Sequence, residues 1–485
     1  MPPDDSFFLL AVVASALLIS YWSARTHHDP DRFYAASHGL TGVQNGLAIA
    51  GDFVSAASLL GVCGAMAAYG FDGFLYATSF FVSYLLLWTV AEPIHRLGRY
   101  TLADALEQLL GTGVVRTAIA VNTLIISVAY LIPQLVAAGQ LAQEVFGLPH
   151  PGAVWLMGGL MTLYVTVGGM VSTSWVQMVK SVLMLATALF LSLMLMARFH
   201  WDLAALPEAM PALYAAPGLL YHGSMDMLSV HVPIVIGTLG MPHIVVRFLT
   251  VPSPAVARRS LSTATAALGL FYLLMLVLGW GVLALGIHPS PADPHGNLAL
   301  LALTRTIGGH FFSAFVAAVA LTTILAVVTG LLLSATGALA HDLLHRGAPR
   351  SPAASLRSAR LCAAAIGAAA TLAAAVAHVG SITSLVSLVF TWTAATNAPV
   401  LLCAFYWRAF NTRGALFGLA AGGIGALMMT IAWPPEAPTK APIPTGIVAI
   451  AAGFAGCLLG SWWKHREVRR MNSDGGHHRG VAGEG

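Results

Sequence analysis

Thirteen stretches of about 20 predominantly apolar residues occupy most of this chain, at roughly 6–24, 42–69, 73–92, 116–146, 152–169, 175–197, 228–250, 260–286, 308–340, 358–378, 381–406, 414–433 and 444–463. Each is long enough to cross a hydrocarbon core of about 30 Å as a helix. Inside that core every backbone N–H and C=O needs an internal partner, which leaves helices or a closed barrel, and runs of this length select helices. The predicted fold is all-α, a polytopic membrane protein of about 13 transmembrane helices. Composition agrees: 58% of the 485 residues are hydrophobic and 9% are charged, where soluble domains carry about 25%. That shortfall excludes a water-facing surface over most of the molecule, and with it a soluble catalytic domain. Cys63, Cys362, Cys403 and Cys457 lie in apolar runs without metal-ligand spacing, so neither a disulfide framework nor a zinc site is indicated.

The charges sort by membrane side. Asp4 and Asp5 precede the first stretch and Arg25 follows it, the reverse of a signal peptide's basic start, which places the N-terminus outside. Thirteen crossings then put the C-terminus inside, and the Lys/Arg excess of cytoplasmic loops falls there, including Arg96, Arg116, Arg247, Arg258, Arg350 and the tail from Lys464. Lys180, about one turn into its span from the inner side, is expected to snorkel to the surface. The net charge of +4 is thus a matter of topology and implies no nucleic-acid partner. Residues 101–110 read as a short amphipathic helix at the inner surface, 434–444 as a Pro-rich outer loop and 472–485 as a disordered cytoplasmic tail.

Two stretches depart from ordinary spans. Asn45, Gly46, Gly51, Asp52 and Ser55 interrupt the second, and Pro233, Gly237, Gly240, Pro242 and His243 interrupt the seventh. Broken helices are tolerated at membrane depth only where protein or a water-filled cavity meets the freed backbone groups. The two are five spans apart, as two five-span inverted repeats after one leading helix would place them, and matched interruptions of this kind point to a transporter's binding site. The expected division is a leading span and loop at 1–41, repeats at 42–226 and 227–410, two further spans at 411–471, and the tail.

Asp52 is the sharpest residue, because a carboxylate at the bilayer centre costs about 2.5–3.5 kcal/mol on insertion scales and needs compensation. It reads either as part of a cation or proton site or as a cap on the free amides of the resumed half-helix. Gln134 and Asn397 are polar groups at depth, read as interhelical hydrogen-bonding groups or substrate contacts. Asp72, Glu92 and Asp342 lie at span ends and read as caps or anchors. Thr322 and Thr323 are adjacent hydroxyls in the ninth stretch. They either bond back to their own helix or face the first break, where carbonyl and hydroxyl oxygens would suit a hard cation such as sodium.

Three motifs carry a family resemblance: TGVQNGLAIAGDFVSAAS at 41–58, YVTVGGMVSTSWVQMVKS at 164–181 and GMPHIVVRF at 240–248, with TTILAVVTG from 322 and HDL at 341–343 beside them. Over nearly its whole length the chain resembles the sodium:solute symporters, and most of all their cation/acetate, or monocarboxylate, branch. The resemblance implies a leucine-transporter-like 5+5 inverted-repeat core, alternating access, and a sodium site between the second and ninth spans. Carried over by position, that site would use the carbonyls of Gly51, Val54 and Val319 and the hydroxyls of Ser55, Thr322 and Thr323. Gln177 stands where the family often has an acidic residue, and the Thr pair lies about one turn further from Asp342 than the matching hydroxyls of other branches. Proton coupling through Asp52 therefore stays open.

The reading that follows is secondary active transport: sodium-coupled symport of a short monocarboxylate such as acetate across a cell membrane, as in a bacterial inner membrane, with no other cofactor. No Arg or Lys is expected at mid-membrane to pair with the carboxylate. Half-helix N-termini at the breaks would supply oriented N–H groups instead, with Asp52, Gln134, Gly240, His243 and Asn397 as substrate or coupling candidates. Rivals are a symporter of another solute and a transporter-like sensor acting through a separate partner. An enzyme is disfavoured, since no nucleophile–base pair or metal-ligand spacing is present.

Overall fold

The computed structural model describes residues 39–476 except 99, 112, 292, 346–350, 377–381 and 433–443. The expected first span, the Pro-rich loop, the loop at Arg350 and the end of the tail lie outside the described residues. Among those described there is no strand. Nine helices are long and apolar enough to cross a membrane, and two bent pairs bring the candidate crossings to 11.

The principal helices are α1 (Gly42–Phe53), α2 (Val62–Tyr69), α3 (Phe71–Leu97), α4 (Leu102–Leu110), α5 (Gly113–Phe146), α6 (His150–Arg198), α7 (Ser224–Gly237), α8 (Pro242–Val245), α9 (Pro254–Ala284), α10 (Ala299–Thr336), α11 (Pro352–Val376), α12 (Ile382–Ala395), α13 (Asn397–Tyr406), α14 (Thr412–Ala432) and α15 (Thr445–Gly476). Helix α10 is the hub, with 94% of its most apolar window buried, whereas the same measure for α14 is 28%. Lipid therefore meets α14 and not α10. The apolar side chains left exposed, such as Val82, Leu85, Trp155, Phe190, Ile424 and Met428, form the surface a bilayer would cover.

Two expected spans, 152–169 and 175–197, both fall within the 49-residue helical segment α6. A straight helix of that length would measure about 74 Å, far more than one crossing. Its two ends nevertheless meet the same end of the bundle: Val154 packs on Gly139 of α5 and Leu195 on Gly281 of α9, while the neighbouring Gln140 accepts a hydrogen bond from Asn297, in the loop between α9 and α10. The chain must therefore double back within α6, as two crossings do. In the ninth stretch the helix begins earlier than expected, at Ala299, and kinks at Gly309, whose φ of 78° is open to glycine without strain. The eleventh is interrupted at Thr396, between α12 and α13.

Both predicted breaks are present, at narrower positions than the residue lists suggested. Thr41 and Gln44 form a capping box that starts α1, and the helix runs regularly through Asn45 and Gly46 until Val54 turns extended, after which the chain resumes at an angle of 66°. The second pair is bent by 44°. Here the cause is local: Met241 precedes Pro242 and adopts φ −68°, ψ 112°, the extended conformation that a following proline imposes. Pro242 then opens α8 where its missing N–H costs nothing. Pro233, by contrast, sits inside α7 without ending it.

Candidate transport site at the two helix breaks

The two breaks are tied together by charge. Arg247, placed by sequence in an inner loop, is instead 1% exposed, and its Nε donates to the Asp52 carboxylate in a buried ion pair. Its Nη1 donates to Ser174 Oγ at 2.6 Å. Asn45, expected to weaken the first helix, works as a staple: its Nδ2 donates to the Arg247 carbonyl and to Ser260 Oγ, each at 3.1 Å, and its Oδ1 accepts from Thr250 at 2.9 Å. The backbone that carries Arg247 is thus fixed to the helix that carries Asp52.

Helix α6 completes this cluster. The Gln177 amide donates to the other Asp52 oxygen and, at 2.7 Å, to the Ala326 carbonyl of α10. Three residues on, and so on the same helix face, Lys180 is 1% exposed. It does not snorkel: its Nζ donates to the Gly51 carbonyl and, at 2.7 Å, to the Val54 carbonyl. These are the carbonyls that α1 frees when it stops. Backbones approach closely here, since a Cβ on Gly51 would lie 2.5 Å from the Gln177 carbonyl, and one on Gly330 of α10 would lie 2.7 Å from Asp52 Oδ1.

The freed amides are capped by residues other than Asp52. Gln134 Oε1 accepts from Ala56 N at 3.2 Å, and Ser55 Oγ accepts from Ala57 N at 3.2 Å. That sets aside the capping role for Asp52. At the second break the Gly240 carbonyl accepts from Asn397 Nδ2 at 2.9 Å, and Asn397 Oδ1 accepts from Asn122 at 2.7 Å. Asn397 thereby serves as an interhelical tie. His243 is buried with its ring 5.6 Å from that of Tyr130, edge to face. Several buried polar atoms near the breaks have no hydrogen-bond partner: Gln134 Nε2, Arg247 Nη2, Tyr84 Oη and His243 Nδ1.

The expected sodium ligands do not form an open cage. Thr322 and Thr323 donate back to the Ala318 and Val319 carbonyls, each at 2.9 Å, and the α10 residues beside Asp52 and Gln177 are Ala326 and Gly330, which carry no hydroxyl. An ion about 3 Å from the Lys180 nitrogen would meet like-charge repulsion of about 5 kcal/mol at an effective dielectric of about 20. With Lys180 on the Gly51 and Val54 carbonyls, sodium does not fit this set.

Away from the bundle ends, the buried charged side chains among the described residues are Asp52, Lys180 and Arg247. One end is closed by a second cluster, in which Arg116 pairs with Asp342 at 3.0 Å, Glu107 at 2.5 Å and Asp104. Asp342, expected as an interfacial anchor, is buried in that lock. At the other end an open cavity is lined by Tyr69, Tyr76, Tyr221, Asp226, Thr383 and Ser387 among others, and Asp72 there accepts from the amides of Gly218, Leu220 and Tyr221. An aromatic layer separates the cavity from the breaks: Tyr76 packs on Phe80, Phe80 on Phe390, and Phe390 on Tyr130. The polar site between the two broken helices is thus separated from the cavity at one end by the aromatic layer and flanked at the other by the charged cluster.

The sequence model of the sodium:solute symporter family matches residues 33–422. The chain belongs to the sodium:solute symporter family. It is similar to the uncharacterized symporter YwcA of Bacillus subtilis (strain 168), at 40% identity over 478 residues, covering 93% of each chain. Among solved structures it resembles a sodium-coupled sialic acid symporter in a substrate-bound outward-open state, with a TM-score of 0.74 and 13% identity over 94% of this chain and 97% of that one. It also resembles Mhp1, a nucleobase-cation-symport-1 family transporter, in a closed conformation with bromovinylhydantoin bound, with a TM-score of 0.57 and 11% identity over 89% of this chain and 96% of that one. Those two likenesses concern the fold, which is leucine-transporter-like. As a symporter of this family the protein is an integral membrane, secondary active transporter.

Arg247 and Lys180 are what sequence reasoning missed, although both had a signal. Each charge stands within or beside an apolar run, Arg247 five residues after the Pro242 break and Lys180 three after Gln177. Local sequence draws each to the nearest surface, because its buried partners, Asp52 for Arg247 and the Gly51 and Val54 carbonyls for Lys180, lie on a distant helix.

Proposed function

We propose that this symporter takes up a short monocarboxylate, with acetate the smallest of the class, across a bacterial inner membrane. One observation carries the solute class: the interior cluster sets two cationic side chains, Arg247 and Lys180, against one carboxylate, Asp52. A single negative charge on the solute balances it. The unpartnered Gln134 Nε2, Tyr84 Oη and Arg247 Nη2 are donors suited to carboxylate oxygens. The motif at 41–58 supports the monocarboxylate branch. Sodium as the coupling ion is supported by the family and by the sialic acid symporter, and in this chain it calls for oxygens other than the Gly51–Val54 pair.

Uptake of labelled acetate, propionate and pyruvate into proteoliposomes, with sodium and pH gradients imposed separately, tests the reading. Concentrative uptake of at least one under a cation gradient is expected. No accumulation under either gradient would reject it in favour of the sensor.

A further inference from the structure

The oxygens that α1 frees at the first break form a cation site by chemistry: two carbonyls, Gly51 and Val54, whose helical partners are lost, beside the Asp52 carboxylate. A hard monovalent cation prefers such oxygens. The chain supplies the cation itself. Lys180 Nζ is a compact positive point charge with three donors, and two of them are spent on these carbonyls. We propose that Lys180 is a tethered cation that fills the sodium position at the first break, so that this site takes no sodium ion.

Three features beyond the two hydrogen bonds favour a fixed role. The contact between α1 and α6 is tight on both sides of the ammonium: Ser181 Oγ donates to the Leu47 carbonyl at 2.7 Å, and Gly51 lies against the Gln177 backbone. Lys180 therefore cannot swing out while the two helices stay packed. The facing residues of α10, Ala326 and Gly330, bring no hydroxyl to complete an ion's shell, and the Thr322 and Thr323 hydroxyls are turned onto their own helix. The charge also balances, because Asp52, Arg247 and a bound sodium would carry the same net charge that Asp52, Arg247 and Lys180 carry now. The family's ion is thus replaced here by a side chain, and the cluster keeps its charge whatever the sodium concentration.

The test counts sodium on purified protein in nanodiscs, with no substrate present. Equilibrium binding of labelled sodium and sodium-dependent shifts in Tm, with choline holding ionic strength constant, are compared between wild type and Lys180→Ala. Lys180→Met, which keeps the stem and removes the charge, is the second variant should the alanine protein fold poorly. Removing the ammonium is expected to add one sodium per chain to the wild-type count, accompanied by a sodium-specific rise in Tm. Equal stoichiometry and affinity in wild type and both variants would overturn the proposal, as would loss of wild-type sodium binding on Thr323→Ala. The inference uses the symport reading only for its consequence. Failure of carboxylate uptake would reject the transport reading and leave the sodium count standing, while an unchanged sodium count would reject the tethered cation and leave transport standing.

Discussion

Arg247, on the stretch after the second break, reaches the carboxylate of Asp52, two residues before the first, and the two unwound regions share one buried ion pair. Neither group is accessible to water. Each therefore depends on the other for its charge to be tolerated, since removing one partner of a buried pair leaves an uncompensated charge at a cost of about 3–5 kcal/mol. The pair is also a mechanical link, because the two half-helices cannot separate without breaking it.

That dependence predicts a double-mutant result. Asp52→Asn and Arg247→Gln should each lower thermal stability and yield, whereas the combined protein should recover a large part of the loss, because neither member of the pair is then left charged without the other. Transport should stay impaired in all three. The readouts are Tm in detergent and initial uptake rate. Additive stability losses would show that the two residues act separately, and wild-type uptake by Asp52→Asn would leave the carboxylate no part in transport.

A second prediction concerns Gly330. Replacing a helical glycine by alanine ordinarily favours the helix by about 1 kcal/mol, so the expected sign comes from what the methyl would meet. A Cβ there lies 2.7 Å from Asp52 Oδ1 and 3.8 Å from His243 Cβ. The second is ordinary contact, but the first is a clash, and Asp52 cannot give way cheaply because Arg247 and Gln177 hold it. Gly330→Ala should therefore destabilise by about 1–3 kcal/mol, the usual cost of overpacking, and slow uptake, while Gly425→Ala on the peripheral α14 should leave uptake unchanged. A stable, fully active Gly330→Ala protein would mean that α10 stands further from Asp52 than the structure places it.

The membrane class, the broken second and seventh spans and the residues around them were legible in the sequence because apolar run length and Gly/Pro punctuation are local signals. What each polar side chain does was not, because it depends on what a distant helix brings opposite. Asp52 could be read as an ion ligand or an amide cap from its neighbours alone, and it became an ion-pair partner only when residue 247 was brought beside it. Asn45 shows the same limit from the other side: a poor helix former in isolation, it stays helical because its amide holds the Arg247 carbonyl and Ser260. Lys180 makes the same point: its Nζ meets the carbonyl of Val54, 126 positions away, a contact that no local pattern around either residue encodes.

Gln134 separates structural from solute-binding roles within one side chain. Its Oε1 caps Ala56 N at the first break, while its Nε2 is buried without a partner. Gln134→Glu keeps an acceptor for the amide but replaces the donor with a negative charge, and Gln134→Leu removes both functions. If the free amide nitrogen faces the solute carboxylate, Gln134→Glu should raise the solute concentration for half-maximal uptake by more than tenfold, which corresponds to a loss of about 1.4 kcal/mol. The leucine variant should lose stability as well, by about 1–3 kcal/mol, because the Ala56 amide would be buried without a partner. Comparing Tm with the concentration dependence of uptake distinguishes the two effects. Unchanged solute affinity in Gln134→Glu would remove Gln134 from the binding site and leave it as a cap on the broken helix.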